Sequence, residues 1–397
     1  MALPRARPLP NEQRTGGSRR WLNRSILGIG LASLFSDAGH EMATAAMPVL
    51  LASFGASSAL LGLIEGVADG ASSFAKLFSG LYSDRLQRRK PLAVTGYFVT
   101  ASAMASFALA TQWWHVLVGR TAGWIGRGAR SPVRNVLLTE ATTPATYGRA
   151  FGLERAMDSA GAIVGPALAL AFLGLVGLRS IFLLTLIPGL MAALVIGFLV
   201  VEKPHAEPAR ATFWQSLHSL PNEFRRYLIG VSIAGIGDFS KALLILWATQ
   251  AWSARFGVAR AASLAMLFYI GYNVVYTISC YVSGMLADRF PKNRVLASGY
   301  AVAVIPAAAL MFPGDSLGKF AIAFAGAGLY MGVWETLENS TAATMLPGAV
   351  RGLGFGVLAT VNGIGDFVSS AAVGALWVIS PVLAMAVVIV SSLGGAA

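Results

Sequence analysis

Two pairs of carboxylates sit four residues apart in otherwise apolar stretches: Asp37 and Glu41 in "FSDAGHEMATAAM", and Glu65 and Asp69 in "LIEGVADGASSFAK". That step puts both members of a pair on one helical face. A carboxylate in a low-dielectric space holds its proton more tightly than in water, and a like-charged neighbour adds to the effect. Such a pair suits a proton carrier, loaded on one side and emptied when water or a cation reaches it. Other ionisable residues lie in similar surroundings. Arg120, Arg127, Arg130 and Arg134 fall in "GRTAGWIGRGARSPVRN", with Glu154, Arg155 and Asp158 soon after. Asp238 and Lys241 share "GIGDFSKAL", and Glu335 and Glu338 share "GVWETLENS".

The chain that must position these groups has 397 residues, 56% apolar and 12% charged, against about 25% charged in soluble domains. Its apolar blocks approach the ~20 residues that a helix needs to cross hydrocarbon. The sequence therefore predicts an all-α polytopic membrane protein. An ionisable group at bilayer depth costs roughly 2.5–3.5 kcal/mol on insertion scales, so each one needs a partner, a watery cavity or a function. Asp37 and Glu41 are the first choice for proton coupling, with Glu65 and Asp69 second. His40, Arg127, Asp238, Lys241, Asn273, Glu335 and Glu338 are candidates to line a substrate cavity. Arg130 and Arg134 are expected to snorkel, with stems in lipid and heads in water. Basic helix 4 and acidic helix 10 are expected to face one another as gate partners or as the two ends of a zwitterion site. Glu154, Arg155 and Asp158 are expected to pair with helix 4. A metal reading of "HEMATAAM" lacks the usual i,i+4 pair of soft ligands, so no metal site and no cofactor are expected.

The formal charge of +12 suggests nucleic acid, but its placement does not. Basic residues gather in the N-terminal tail (Arg5, Arg7, Arg14, Arg19, Arg20, Arg24), in "RLQRRK", in 202–226 and in "RFPKNR", at every second gap between apolar blocks. This is the positive-inside pattern, and it puts the N-terminus and those passages on the cytoplasmic side. The first span has no small-residue cleavage site and reads as retained. A single cysteine, Cys280, leaves no internal disulfide. The expected organisation is a tail at 1–25, a six-helix bundle at 26–201, a cytoplasmic linker at 202–226 and a second bundle at 227–397, twelve spans in all.

The two bundles repeat one another. "SGLYSDRLQRRKPLAVTGY" (79–97) returns as "SGMLADRFPKNRVLASGY" (283–300), with Gly80 and Gly284 204 residues apart (284 − 80) and Asp84 and Asp288 at the same offset. Gly152 and Gly356 keep it too, as do Asp69 and Asn273. A common offset across separate spans is the mark of a secondary transporter built from related halves. These passages resemble the signature loop of the major facilitator superfamily, G-x-x-x-D-R/K-x-G-R-R/K, between helices 2 and 3. The first copy supplies Gly80, Asp84, Arg85, Arg88 and Arg89, with Gln87 in the usual place of glycine. A degenerate copy supplies Gly284, Asp288, Arg289, Lys292 and Arg294. The resemblance implies two pseudo-symmetric six-helix bundles, usually monomeric, with the aspartate closing the halves in the outward-facing state. Helix 5 is similar to the family's antiporter motif: Gly152, Gly161, Gly165 and Pro166 are in register, and Ala169 and Leu170 replace its terminal glycines. Arg120 sits at the family's helix-4 arginine tied to proton transfer, with Trp124 where glycine is usual.

These readings favour a secondary transporter in the cytoplasmic membrane, moving a small organic solute by alternating access, with proton-coupled efflux first. Uptake or exchange of an organic anion, clamped by Arg120 or Arg127, is the alternative. A polytopic enzyme would need a nucleophile with its base or a ligand cluster. No G-x-S-x-G, H-E-x-x-H or phosphate-binding loop is present.

Overall fold

The structure is a computed structural model describing residues 21–56, 58–202, 212–238, 241–312 and 314–396. Most of the basic tail (Arg5, Arg7, Arg14, Arg19 and Arg20) and residues 203–211 of the expected linker lie outside the described residues. Every regular element described is helical.

Twelve membrane helices follow in order. The first six are α1 Arg24–Ser53, α2 Ser58–Asp84, α3 Lys90–Ala105, α4 Trp113–Glu140, α5 Tyr147–Val176 and α6 Leu178–Leu199. The second six are α7, in two pieces at Asn222–Gly235 and Lys241–Phe256, α8 Val258–Arg289, α9 Lys292–Met311, α10 Leu317–Met345, α11 Arg351–Ile379 and α12 Pro381–Ala396. A short helix, Phe213–His218, lies between the two sets. Local chemistry sets several starts. The Asn23 side chain accepts from the backbone of Ser25 and Ile26 to cap α1. Proline at the first turn, where its missing N–H costs nothing, opens α3. Seven of the helices are apolar and long enough to span a bilayer by length and composition alone. The other five are α1, α2 and α4, which carry the interior charges, the broken α7 and the short α12.

The two sets meet along α2 against α11 and α5 against α8. At the end carrying the charged passages the approach is backbone to backbone. A Cβ on Gly80 would stand 2.3 Å from the Gly352 carbonyl oxygen, and one on Gly284 2.3 Å from that of Gly148. Only glycine permits either crossing, and each is the other shifted by the repeat. Phe151 and Phe355, also 204 apart (355 − 151), meet between them with ring centroids 6.0 Å apart. Asn135 donates to Asn339 over 2.9 Å, a further pair at the same separation of 204. The halves are thus shut on one another at this end, in a core shared by both.

Candidate functional site

The carboxylate of Asp37, on α1, meets Arg127 of α4 at 2.7 Å. Asp37 is buried, whereas the Arg127 side chain keeps 28% of its surface exposed. The small residues of α5 set this geometry. Cβ atoms on Gly161 and Gly165 would each lie 2.4 Å from a carbonyl oxygen of α1, on Leu34 and Ala38. The close approach lets α1 and α5 lie in contact beside Asp37 and Glu41. Gly152 serves a different contact, facing the Cys280 carbonyl of α8 in the other half. Glu41 is half-buried and makes no hydrogen bond or ion pair among the described residues, although it lies within electrostatic reach of Lys241.

From Arg127 the charges continue inward. Asp158 lies 4.0 Å from Arg127, 3.5 Å from Arg134 and 3.8 Å from Arg155. Arg134 also pairs with Glu154 at 2.8 Å, and the Ser33 hydroxyl donates to Glu154 over 2.7 Å. Arg155 then crosses to the second half, 3.7 Å from Glu335 of α10, which accepts from the Tyr276 hydroxyl at 2.5 Å. This is a chain of alternating charge running from Asp37 across the boundary between the halves.

Two expectations fail here. Arg130 and Arg134 do not snorkel; they are 2% and 4% exposed. Arg130 bonds Ser36 at 2.7 Å and lies over the Tyr97 ring. Glu154 and Asp158 hold the Arg134 guanidinium inside, and a hydroxyl and an aromatic face hold that of Arg130. Nor does Glu338 face α4. It is enclosed in the second half and accepts from Tyr300, Trp334 and Asn362. The cross-half ion pair to α10 comes from α5, while the pairing of Glu154 and Asp158 with α4 is present.

A second group lies beyond Arg127 on α2 and α4. Arg120 holds Glu65 at 2.9 Å and Thr44 at 2.9 Å, and stacks 4.2 Å above the Trp124 ring. Trp124 donates its indole N–H to Asp69 and stacks on His40 with centroids 4.2 Å apart. The tryptophan in place of the family's glycine is therefore the hub that joins Arg120, Asp69 and His40. His40 is 2% exposed and Asn273 4%, the latter bonded to the Tyr269 carbonyl of its own helix. Neither lines an open space.

In the second half, Asp238 sits at the break in α7 beside a cavity of about 40 Å³ that Lys241, Tyr272 and Tyr330 also line. Asp366 on α11 lies within electrostatic reach of it. Asp366 was not among the sequence candidates, yet the signal was there. The pentapeptide GIGDF occurs twice, at 235–239 and 363–367.

At the closed end, Asp84 accepts from the backbone N–H groups of Gly352 and Leu353, both at 2.8 Å, where α11 begins. Asp288 accepts from Gly148 at 2.8 Å and Arg149 at 3.1 Å, where α5 begins. Both are anions at helix N-termini. Arg89 is buried behind Asp84 and bonded to Glu140, whereas Arg85, Arg88 and Arg289 lie exposed.

Two bundles related by one offset, closed by reciprocal aspartate caps around an interior file of charge, describe a transporter architecture. The sequence model of the Major Facilitator Superfamily matches residues 29–370. The chain belongs to this superfamily. Among its superfamily relatives, an uncharacterized MFS-type transporter of Methanocaldococcus jannaschii is 27% identical over 94% of this chain and 93% of its own length. The multidrug resistance protein MdtH of Photorhabdus laumondii is 35% identical over 107 residues, 26% of each protein. The fold is similar to that of the superfamily transporter FucP in its outward conformation, with a TM-score of 0.74 and 18% identity over 93% of this chain and 98% of FucP. Membership makes this superfamily chain a multi-pass secondary transporter of small molecules and not an enzyme.

Proposed function

We propose that the protein is a proton-coupled exporter of a small organic solute in the cytoplasmic membrane, with the charged passages on the cytoplasmic face. The observation that carries this reading is the Asp37–Arg127 pair at 2.7 Å, buried on the acid side and open on the basic side. A proton on Asp37 would release Arg127, and Arg127 is already within 4.0 Å of Asp158, the next acid in the file. The file ends on Glu335 in the other half, so a change in charge at Asp37 reaches the boundary that alternating access must break. Glu41 and the Arg120–Glu65 pair flank this core. The helix-5 glycines and the partial similarity to a multidrug resistance protein support export. The positive-inside pattern supports the orientation. No cofactor is required, because an ion gradient supplies the energy.

Arg127 also favours a second reading, since an exposed guanidinium can clamp an organic anion. The two readings differ in the direction of transport. In everted vesicles with an imposed pH gradient, export appears as proton-driven accumulation and uptake as proton-driven loss. Under the first reading, Asp37→Asn reduces gradient-driven movement to the downhill leak, while downhill exchange of solute continues. Unchanged gradient-driven movement in Asp37→Asn and in Glu41→Gln would remove the coupling assignment.

A further inference from the structure

The 204-residue offset relates the two caps and also the two seams that they close, α5 against α8 and α2 against α11. The backbones of the two seams cross in the same way. A Cβ on Gly152 would stand 2.5 Å from the Cys280 carbonyl oxygen, and one on Gly356 2.7 Å from that of Lys76, the residue equivalent to Cys280 (280 − 76 = 204). Any difference in strength between the seams therefore comes from their side chains.

Beyond the caps, toward the middle of the helices, α5 is tied to the second half by groups that α11 lacks. Arg155 lies 3.7 Å from Glu335 of α10, and Glu335 also accepts from Tyr276 of α8 at 2.5 Å. The equivalent positions are Ala359 on α11, Ser131 on α4 and Ser72 on α2, none of them charged. One turn further, the hydroxyls of Ser159 and Thr277 share a hydrogen bond of 2.8 Å between α5 and α8. Their equivalents are Gly363 and Ser73. Glycine has no hydroxyl to offer, and that of Ser73 donates to the Asp69 carbonyl of its own helix.

The side chains that do link α11 to the first half hold it more weakly. Thr360 donates to the Gly356 carbonyl of its own helix at 2.8 Å and reaches the Ser73 carbonyl of α2 only at 3.4 Å. Arg351 reaches Thr139 of α4 at 3.4 Å as well, whereas ordinary hydrogen bonds extend to about 3.2 Å. Lys76 and Asp366 are within electrostatic reach across this seam but form no ion pair among the described residues. Parting Arg155 from Glu335 would leave a carboxylate without its cation in a poorly solvated place, a cost that the other seam does not carry.

We infer that the halves part unequally: the α5–α8 seam is the hinge, and the capped end opens along α2 and α11. This requires only that the two halves alternate, and neither the ion nor the direction of transport proposed above.

Spin labels at equivalent exposed positions test it without a known cargo. Tyr82 and Ala349 flank the α2–α11 seam, and Leu286 and Ala145, at the same offset of 204, flank the α8–α5 seam. In the protein carrying both Asp84→Asn and Asp288→Asn, the first distance is expected to lengthen while the second keeps its wild-type value. Adding Arg155→Met and Ser159→Ala should then lengthen the second as well. Equal lengthening of the two before that addition, or lengthening of the second alone, would overturn the inference. Where loss of the caps moves neither distance, amide hydrogen exchange of the unlabelled wild type decides. Slower exchange is expected in 147–159 and 277–288 than in 351–363 and 73–84, and equal or reversed rates would remove the hinge.

Discussion

The two aspartate caps have the same backbone geometry but different surroundings. Asp84 rests on Gly352 and Leu353, and its nearest basic side chain, Arg89, stands 3.7 Å away and is drawn aside by Glu140. Asp288 has the equivalent backbone bonds, plus the Arg149 guanidinium at 2.8 Å and the Lys292 ammonium at 3.3 Å. The position equivalent to Arg149 is Leu353, which can offer only its N–H. The copy whose sequence departs further from the family signature is thus the better neutralised one. Motif fidelity and electrostatic strength have separated, since the repeat fixes the backbone contact while neighbouring side chains set how firmly it holds.

The largest effect is expected from removing both caps. Hydrogen bonds to a charged acceptor contribute about 1.5–3 kcal/mol each, and each cap makes two from the backbone. Asp84→Asn with Asp288→Asn should move the protein from closed to open at this end. The measurement is the distance distribution between spin labels at the exposed Gln87 and Asn293. If the closed population persisted, the caps would be incidental. Next in size is the asymmetry itself: Asp288→Asn should open the end more than Asp84→Asn, by about 1 kcal/mol in the population ratio. Equal shifts would mean that Arg149 and Lys292 contribute nothing. Smallest is Arg149→Met, which should bring the second cap down to the level of the first, about 0.5 kcal/mol for a guanidinium that stays one-third exposed. The aspartate variants leave membrane insertion intact, because acidic residues contribute little to orientation.

Much of this arrangement was readable before any coordinates. Apolar block length gave the spans, and the 204-residue offset gave both caps, because a contact made by backbone and glycine depends only on register. The pairing of interior charges was less readable. It depends on how α4 and α5 are rotated about their axes, which moves Arg130 and Arg134 from the lipid boundary to the interior. Basic and acidic composition on α4 and α10 suggested that they face one another. Arg155 reaches Glu335 instead because α5 lies against α8 and α10, whereas α4 meets α10 at the neutral pair of Asn135 and Asn339. Asp366 escaped attention because its pentapeptide recurs outside the duplication, where a search at the common offset does not look. Trp124 escaped because a departure from a motif reads as a loss until its neighbours are known.

Asn135 bonded to Asn339, and Phe151 tilted against Phe355, are residues touching their own counterparts. Such a point can only lie on the pseudo-twofold line relating the halves, as in an isologous dimer. A backbone contact away from that line can come in twos, as the aspartate caps do, so losing Asp84 leaves Asp288 in reserve. A contact on the line occurs once and has no understudy, which makes these four side chains the place where the duplication offers no insurance.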